Sequence, residues 1–152
     1  MDAARPVGQD RAAVDVALLI ARVVLGIVFV IHGAQLMFGA FGGPGLAGFV
    51  QMMGPVGYLV AIGQFFGGIG LILGVLARFS AAAIAVIMCG AIVLVHAKVG
   101  FFMNWMGKQA GEGFEYHLLA IALALVIVIV GPGRLTLVRL LMPRARVALI
   151  VE

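Results

Sequence analysis

The sequence predicts an all-α integral membrane protein, an antiparallel bundle of four transmembrane helices with both termini in the cytoplasm. The first observation behind this prediction is composition: of the 152 residues, 64% are hydrophobic and only 11% are charged. The mean hydropathy is +1.24, whereas soluble domains contain about 45–50% apolar and about 25% charged residues. This composition is typical of a chain in lipid, and the bilayer is its first predicted partner.

Four apolar segments separated by turn-forming residues are the second observation. A hydrocarbon core about 30 Å thick is crossed by about 20 helical residues. The predicted spans are Val16–Phe38, Pro55–Ala77, Ser80–Lys98 and Phe114–Gly131. The first is longer than the apolar core of a signal peptide, about 7–15 residues, so we expect it to be retained as a span. The chain thus divides into an N-terminal tail (1–15), a four-helix domain (16–131) and a basic amphipathic C-terminal tail (132–152).

The third observation is the distribution of positive charge. Lys98 and Lys108 lie with two of the loops. The arginines lie with the termini and with the link between the second and third spans: Arg5, Arg11, Arg22, Arg78, Arg134, Arg139, Arg144 and Arg146. Because cytoplasmic segments carry the excess of Lys and Arg, we predict cytoplasmic termini. Basic residues in such positions orient a membrane protein, so no nucleic-acid partner is expected.

Two features of the spans predict how their surfaces are used. Small residues fall on one face of the second span, at Gly63, Gly67, Gly70 and Gly74. Such a face lets helices approach closely, so we expect it to pack inside the bundle, with a dimer interface as the alternative. Arg22 lies near the cytoplasmic end of the first span, and its long side chain is expected to reach lipid phosphate and act as a topology anchor.

Polar side chains gather at the opposite end of the predicted bundle, near the outer leaflet. Ionisable groups inside a bilayer are costly, so each is a candidate functional residue. Every span contributes to this end, through His32 with Gln35, Gln64, His96, and Glu115 with His117. Trp105 and Tyr116 add aromatic rings that suit either an interfacial belt or the walls of a pocket. In a purely structural alternative, these polar groups only hydrogen-bond across helices.

A quinone site is the first of three chemistries that this cluster would suit. Quinone chemistry needs a histidine or an acid to exchange protons with the ring oxygens, aromatic walls, and a depth that a lipid-soluble head group can reach. We predict catalytic roles for His32, His96 and Glu115. The predicted cofactor-binding residues are Gln35, Gln64, Trp105, Tyr116 and His117.

Haem b and copper are the alternative cofactors. A b-type haem needs two axial histidines at similar depth, and His32 with His96 would supply them. Copper or zinc could recruit His32, His96 and His117, with nearby methionines as soft donors for Cu(I). No ligand spacing in the sequence is diagnostic of a metal, so no metal ligand is assigned from it.

Four segments carry a family resemblance. They are RVVLGIVFVIHGAQLMFG (22–39), QFFGGIGLILGVLARFSA (64–81), His96 with the GFFMNW that follows it, and FEYHLLAIALALVIVIVGPGRLTLVRLL (114–141). Together they resemble the DoxX family of small four-helix bacterial and archaeal membrane proteins. The resemblance implies a role in thiosulfate:quinone oxidoreduction, or in membrane complexes that handle sulfur compounds or oxidative stress. It also implies that the family's motif positions are Arg22, His32, Gly33, His96, Glu115 and Tyr116.

The chain departs from the family pattern at three positions. Members commonly have a lysine where this chain has Leu36 and an acidic residue where it has Gln64, so an expected charged pair is neutralised on both sides. Losing both charges costs less than losing one, because no unpaired buried charge remains. His117 stands where relatives often have proline. A third histidine favours a bound metal or a specialised subunit role over thiosulfate oxidation.

These observations predict a DoxX-like membrane subunit of a quinone-linked oxidoreductase or electron-transfer complex, with a polar site at the outer-leaflet end. The expected protein partners are other subunits of a membrane complex or further copies of the chain. A non-catalytic anchor or assembly subunit is the main alternative, and a haem- or copper-binding membrane protein is another. Transport is disfavoured, because the spans lack the paired broken helices of many secondary carriers.

Overall fold

The computed structural model describes residues 7–141, which form helices and loops without strands. The helices are α1 (Val7–Phe38), α2 (Gly45–Met53), α3 (Val56–Leu73), α4 (Ala77–Leu94), α5 (Glu115–Val130) and α6 (Leu137–Leu141). Short 3-10 turns follow α1 and α4, at Ala40–Gly42 and His96–Lys98. The all-α prediction is confirmed for these residues. Parts of both predicted tails, 1–6 and 142–152, lie outside them.

Three helices are long and apolar enough to cross a membrane: α1 within Asp10–Phe38, α3 and α4. The chain is therefore a multi-pass helical membrane protein. The fourth predicted span corresponds to α5, an apolar helix of 16 residues. At a rise of about 1.5 Å per residue, α5 is about 24 Å long, less than the hydrocarbon thickness of about 30 Å. A count of four spans and the orientation of the termini therefore stay predictions.

The helices run antiparallel in chain order, and the short α2 lies against α1 and α3. Packing connects α1 with α3, α3 with α4, and α4 with α5, while α5 also contacts α1. We call the end that contains the start of α1 and α6 the terminal end, and the opposite end, where α5 begins, the loop end. Between them lies an apolar core of Leu25, Phe29, Leu71, Ala77, Ala81, Ile84, Ala85, Met88, Ala120, Ala124 and Ile127.

The backbones of α1 and α3 are in contact where two glycines meet. A Cβ atom added to Gly26 would lie 2.7 Å from the carbonyl oxygen of Gly68, and a Cβ on Gly68 would lie 2.7 Å from that of Gly26. Nearer the loop end, Gly33 lies directly against the backbone of Phe65. Only residues without side chains permit such an approach. The position of α1 relative to α3 is consequently fixed along most of their contact.

The predicted glycine face of α3 packs inside the bundle, as expected, and its neighbour is α4. A Cβ on Gly63 would lie 2.8 Å from Ile87, and one on Gly70 would lie 2.5 Å from the hydroxyl of Ser80. The tighter contact with α1 uses Gly68, which the periodicity of the other glycines did not single out. Glycines on two faces of α3 therefore allow close packing, one face against α4 and the other against α1.

Arg22 is fully buried at the terminal end and does not reach the lipid surface. Its Nη1 donates to the carbonyl oxygens of Leu71 (2.8 Å) and Ile72 (3.4 Å), and its Nη2 donates to that of Leu135 (2.5 Å). The last four carbonyls of a helix have no partner within it. Arg22 supplies partners at the end of α3 and links it to the segment before α6. The prediction that Arg22 acts as a lipid-phosphate anchor is therefore wrong.

Arg78 supplies hydrogen-bond donors to the last carbonyls of α5, as Arg22 does for α3. From the start of α4, its Nη1 donates to the carbonyl oxygens of Val128 (2.5 Å) and Ile129 (3.3 Å), and its Nη2 donates to that of Val130 (3.5 Å). These carbonyls close α5. In lipid, an unsatisfied backbone group costs several kcal/mol, so a helix that ends near the apolar region needs such a partner.

We expect Arg22→Gln to lower the free energy of unfolding by about 2–4 kcal/mol, because a shorter neutral side chain loses charged hydrogen bonds to three carbonyls. Denaturant unfolding of the detergent-solubilised protein measures this change. Arg139→Gln is the matched control, since Arg139 is exposed. Equal destabilisation by the two substitutions would contradict the capping role of Arg22.

Gly68→Ala should destabilise the protein, because the added methyl group would collide with the backbone of α1. Gly90→Ala on α4 is the control, since a Cβ there has no neighbouring atom within 4 Å. Alanine favours a helix by up to about 1 kcal/mol over glycine, so the control should be neutral or stabilising. Thermal unfolding of both variants in the same detergent gives the comparison, and the same melting temperature for both would refute the close helix contact.

Candidate functional site

Four of the predicted site residues meet at the loop end, and we call His32, His96, Tyr116 and His117 the ring cluster. The ring centroids of His96 and His117 are 4.1 Å apart, those of His117 and Tyr116 are 5.5 Å apart, and those of Tyr116 and His32 are 6.2 Å apart. The rings come from α1, from α5 and from the 3-10 turn after α4. The structure therefore brings together side chains that are distant in sequence.

Three buried polar atoms in this region have no hydrogen-bond partner among the described residues. They are Oε1 of Gln64, the hydroxyl oxygen of Tyr116 and Nδ1 of His117. The side chains of Gln64 and His117 are only 7% and 6% exposed. Buried polar atoms nearly always have a partner, protein or water, so three exceptions at one end of a bundle indicate hydrogen-bonding capacity that a bound ligand or water would satisfy.

Gln64 lies near His32 along the bundle axis. Gly33 contacts the backbone of Phe65, and because α1 and α3 are antiparallel, His32 and Gln64 lie on opposite sides of this contact, about 3 Å apart along the axis. Gln35 lies one turn after His32 on α1, at the spacing that places two residues on one helix face, and it is half-buried. The packing of α1 on α3 thus places all three polar groups towards the loop end.

One hydrogen bond determines which ring nitrogen of His96 carries a hydrogen. Its Nδ1 lies 2.7 Å from the carbonyl oxygen of Glu112. A carbonyl oxygen can only accept, so Nδ1 must carry the hydrogen. In the neutral imidazole the other ring nitrogen, Nε2, then holds a free lone pair. His96 is therefore positioned as an acceptor or a ligand through Nε2.

The loop between α4 and α5 is held together at its base by backbone hydrogen bonds. Phe114 N–H donates to the carbonyl of Gly100 (3.2 Å), and Glu115 N–H donates to that of Phe101 (2.9 Å). Gly113 sits between the two limbs, where a Cβ atom would collide with the carbonyl of Phe102. This closure places Glu112 beside His96 and starts α5 at Glu115.

Two carboxylates stabilise the loop through hydrogen bonds to its backbone and to Trp105. Oε1 of Glu115 accepts hydrogen bonds from the backbone N–H of Met103 and from Nε1 of Trp105, both at 3.0 Å. Oε2 of Glu112 accepts from the backbone N–H of Asn104 at 2.7 Å. The observed contacts of Glu115 and Trp105 thus hold the loop, and Trp105 is 81% exposed. Their predicted catalytic and cofactor-binding roles stay predictions.

The cluster has a limited set of metal donors. Among residues 7–141, no group of three or more His, Cys, Asp or Glu side chains is arranged to hold a metal ion. Of the three histidines, His96 and His117 are in contact, whereas His32 contacts the ring of Tyr116. The haem and three-histidine copper alternatives therefore stay predictions.

Glu112 and Asn104 were not among the predicted site residues. Glu112 fixes His96 through its carbonyl oxygen, and Asn104 closes a turn with Gln109 through two hydrogen bonds, of 2.9 and 3.2 Å. A backbone carbonyl has no sequence signal. Gly113 was the sequence feature related to this closure, because its lack of a side chain allows the two ends of the loop to pack together.

The fold and the cluster define the class, a helical multi-pass membrane protein with a polar site at one end. The family model described as DoxX matches residues 17–97, more than half of the chain. The chain therefore belongs to the DoxX family, which confirms the resemblance. A protein of Bacillus subtilis (strain 168) named putative oxidoreductase CatD is 27% identical over 119 residues, 74% of this chain and 79% of the relative. No solved structure gives a significant match.

The loop brace can be tested through the single tryptophan of the chain. We expect Glu115→Ala to free the loop, because the hydrogen bonds to Met103 and Trp105 lose their acceptor. The fluorescence anisotropy of Trp105 should then fall, and amide exchange in residues 100–113 should speed up. Glu115→Gln keeps an acceptor oxygen and serves as the control. Unchanged anisotropy and exchange in Glu115→Ala would show that the carboxylate does not brace the loop.

Proposed function

We propose that this protein is a membrane subunit of a quinone-linked oxidoreductase or electron-transfer complex, and that the ring cluster with Gln64 binds a quinol. The supporting observation is the set of unpartnered buried atoms on Gln64, Tyr116 and His117, together with the contacts of Tyr116 and His117 to the other two imidazoles, those of His32 and His96. A quinol offers two ring hydroxyl groups and a flat apolar ring, which suit these polar atoms and aromatic side chains.

The residues of the cluster would have different roles in binding the quinol, according to the chemistry of their side chains. The imidazoles of His32 and His96 would hold the quinol or accept its protons as general bases. Tyr116 and Gln64 orient the ligand through hydrogen bonds, and His117 contributes a further nitrogen from the buried side. A bound quinone would supply the two-electron chemistry. Electrons would pass to or from a redox partner subunit.

The proposed orientation places the cluster at the outer leaflet of a bacterial inner membrane, with both termini cytoplasmic. Lys98 and Lys108 are the basic residues at the loop end, whereas arginines dominate the terminal end. Because Arg22 and Arg78 act as helix caps, the bias rests mainly on Arg11, Arg134 and Arg139 among the described residues. The relative named as a putative oxidoreductase supports redox chemistry in the family.

Binding of a short-chain ubiquinol or menaquinol analogue to the purified protein tests the proposal. We expect His32→Ala and His96→Ala each to weaken binding at least about tenfold, because each removes a proton acceptor from the cluster. Isothermal titration in detergent gives the dissociation constants, and Arg139→Gln serves as a distant control. If the protein binds no quinol, or if neither substitution alters binding or the turnover of the complex, the proposal fails.

A non-catalytic anchor or assembly subunit is the second candidate. The loop end presents apolar side chains that the chain leaves uncovered, with exposures of 67% for Phe102, 81% for Trp105 and 82% for Met106. Aromatic residues and methionine are enriched in protein interfaces. Stoichiometric partners that co-purify from native membranes and dissociate in Phe102→Ser would support this function. Stable isolation as a lone homo-oligomer would count against it.

A further inference from the structure

We propose that His96 and His117 form a two-imidazole site for a borderline divalent transition metal, Cu2+ or Zn2+. Their ring centroids are only 4.1 Å apart, although one ring lies in the turn after α4 and the other on α5. Imidazole suits Cu2+ and Zn2+, with ligand nitrogens about 2.0–2.1 Å from zinc. Rings this close can each direct one nitrogen at a common ion through small side-chain rotations.

His96 has the hydrogen bond that is typical of a metal ligand. Histidines that bind metals almost always donate their other ring N–H to a carboxylate, a backbone carbonyl or water, which fixes the tautomer and the ring orientation. In this protein, Nδ1 of His96 donates to the carbonyl of Glu112 at 2.7 Å. The free lone pair on Nε2 is therefore available, and the half-buried ring lies at the loop end, where an ion from solution has access.

His117 supplies an independent observation. Its side chain is 6% exposed, and its Nδ1 is buried without a hydrogen-bond partner among the described residues. A buried nitrogen without a hydrogen-bond partner is energetically unfavourable. Binding an ion shared with the neighbouring imidazole would therefore stabilise it more than an exposed nitrogen, which water already satisfies. A metal ion held by both rings would satisfy this nitrogen and connect α4 to α5.

The site differs from the three-histidine cluster expected from the sequence. His32 lies next to Tyr116, with ring centroids 6.2 Å apart, and the described residues contain no three-ligand group. Two imidazoles would then bind the ion, and water would complete its coordination. For nitrogen ligands the affinity order places Cu2+ above Zn2+. This inference does not depend on the proposed quinol site.

Electron paramagnetic resonance of the full chain with added Cu2+ tests the proposal. The protein is produced without a polyhistidine tag and studied in detergent without quinone. We expect one bound Cu2+ per chain, with nitrogen hyperfine structure from two imidazoles. His96→Gln and His117→Gln should each weaken Cu2+ binding at least about tenfold, because each removes a ligand and loss of an outer-shell partner alone typically costs about 10–100-fold. His32→Gln, the same change on the third histidine, should leave binding unchanged.

Three results would overturn the proposal: no stoichiometric Cu2+ on the wild-type protein, binding unaffected by both pair substitutions, or an equal loss in His32→Gln. Circular dichroism and thermal unfolding of every variant identify a misfolded protein. If His117→Gln does not fold, Cu2+ binding by His96→Gln still tests the proposal. His96 is only half-buried, so we expect this variant to fold. Quinol binding is measured separately on metal-free protein, so each proposal can fail alone.

Discussion

Contact between the backbones of α1 and α3 determines the depth at which the polar residues of the first two predicted spans lie. Gly26 and Gly68 each leave no space for a side chain on the other helix. A shift of either helix along its axis would bring side chains into this crossing. The same contact, continued at Gly33 and Phe65, places His32 and Gln64 within about 3 Å of each other along the bundle axis. The composition of the ring cluster and its surroundings thus depends on residues that take no part in its chemistry.

Two hairpins of similar design make up the bundle. In each, an arginine at the terminal end of the first helix donates to the last carbonyls of the second helix: Arg22 on α1 to α3, and Arg78 on α4 to α5. Each first helix also leads to a histidine and a stretch rich in Gly and Phe, FGAFG after His32 and GFF after His96. The two hairpins have the same orientation, because α1 and α4 both run from the terminal end to the loop end. The histidine of each hairpin therefore lies at the loop end.

Hydropathy was sufficient to predict α1, α3 and α4. The depth of polar residues along each span predicted that His32, Gln35, Gln64, His96, Glu115 and His117 converge at one end, and three of them, His32, His96 and His117, lie in the ring cluster together with Tyr116. The environment of Arg22 was not predictable, because a basic residue near a span end has the same sequence signal whether it faces phosphate or caps a helix. Gly68 was missed because periodicity identifies one face of a helix, and α3 packs closely on two. The role of Glu112 depends on a backbone carbonyl, which is independent of the side-chain type.

The length of α5 has a consequence for the surrounding membrane. At about 1.5 Å per residue, α5 with 16 residues is about 24 Å long and α4 with 18 residues is about 27 Å long, both shorter than an apolar layer of about 30 Å, whereas α1 has 32 residues. If α5 crosses the bilayer as predicted, lipids beside it compress or polar head groups move inward, and either response costs fractions of a kcal/mol per Å of mismatch. Local thinning at the loop end would bring the water boundary close to Tyr116 and His117. A ligand dissolved in the bilayer would then meet these residues at a depth where its polar oxygens are already partly hydrated.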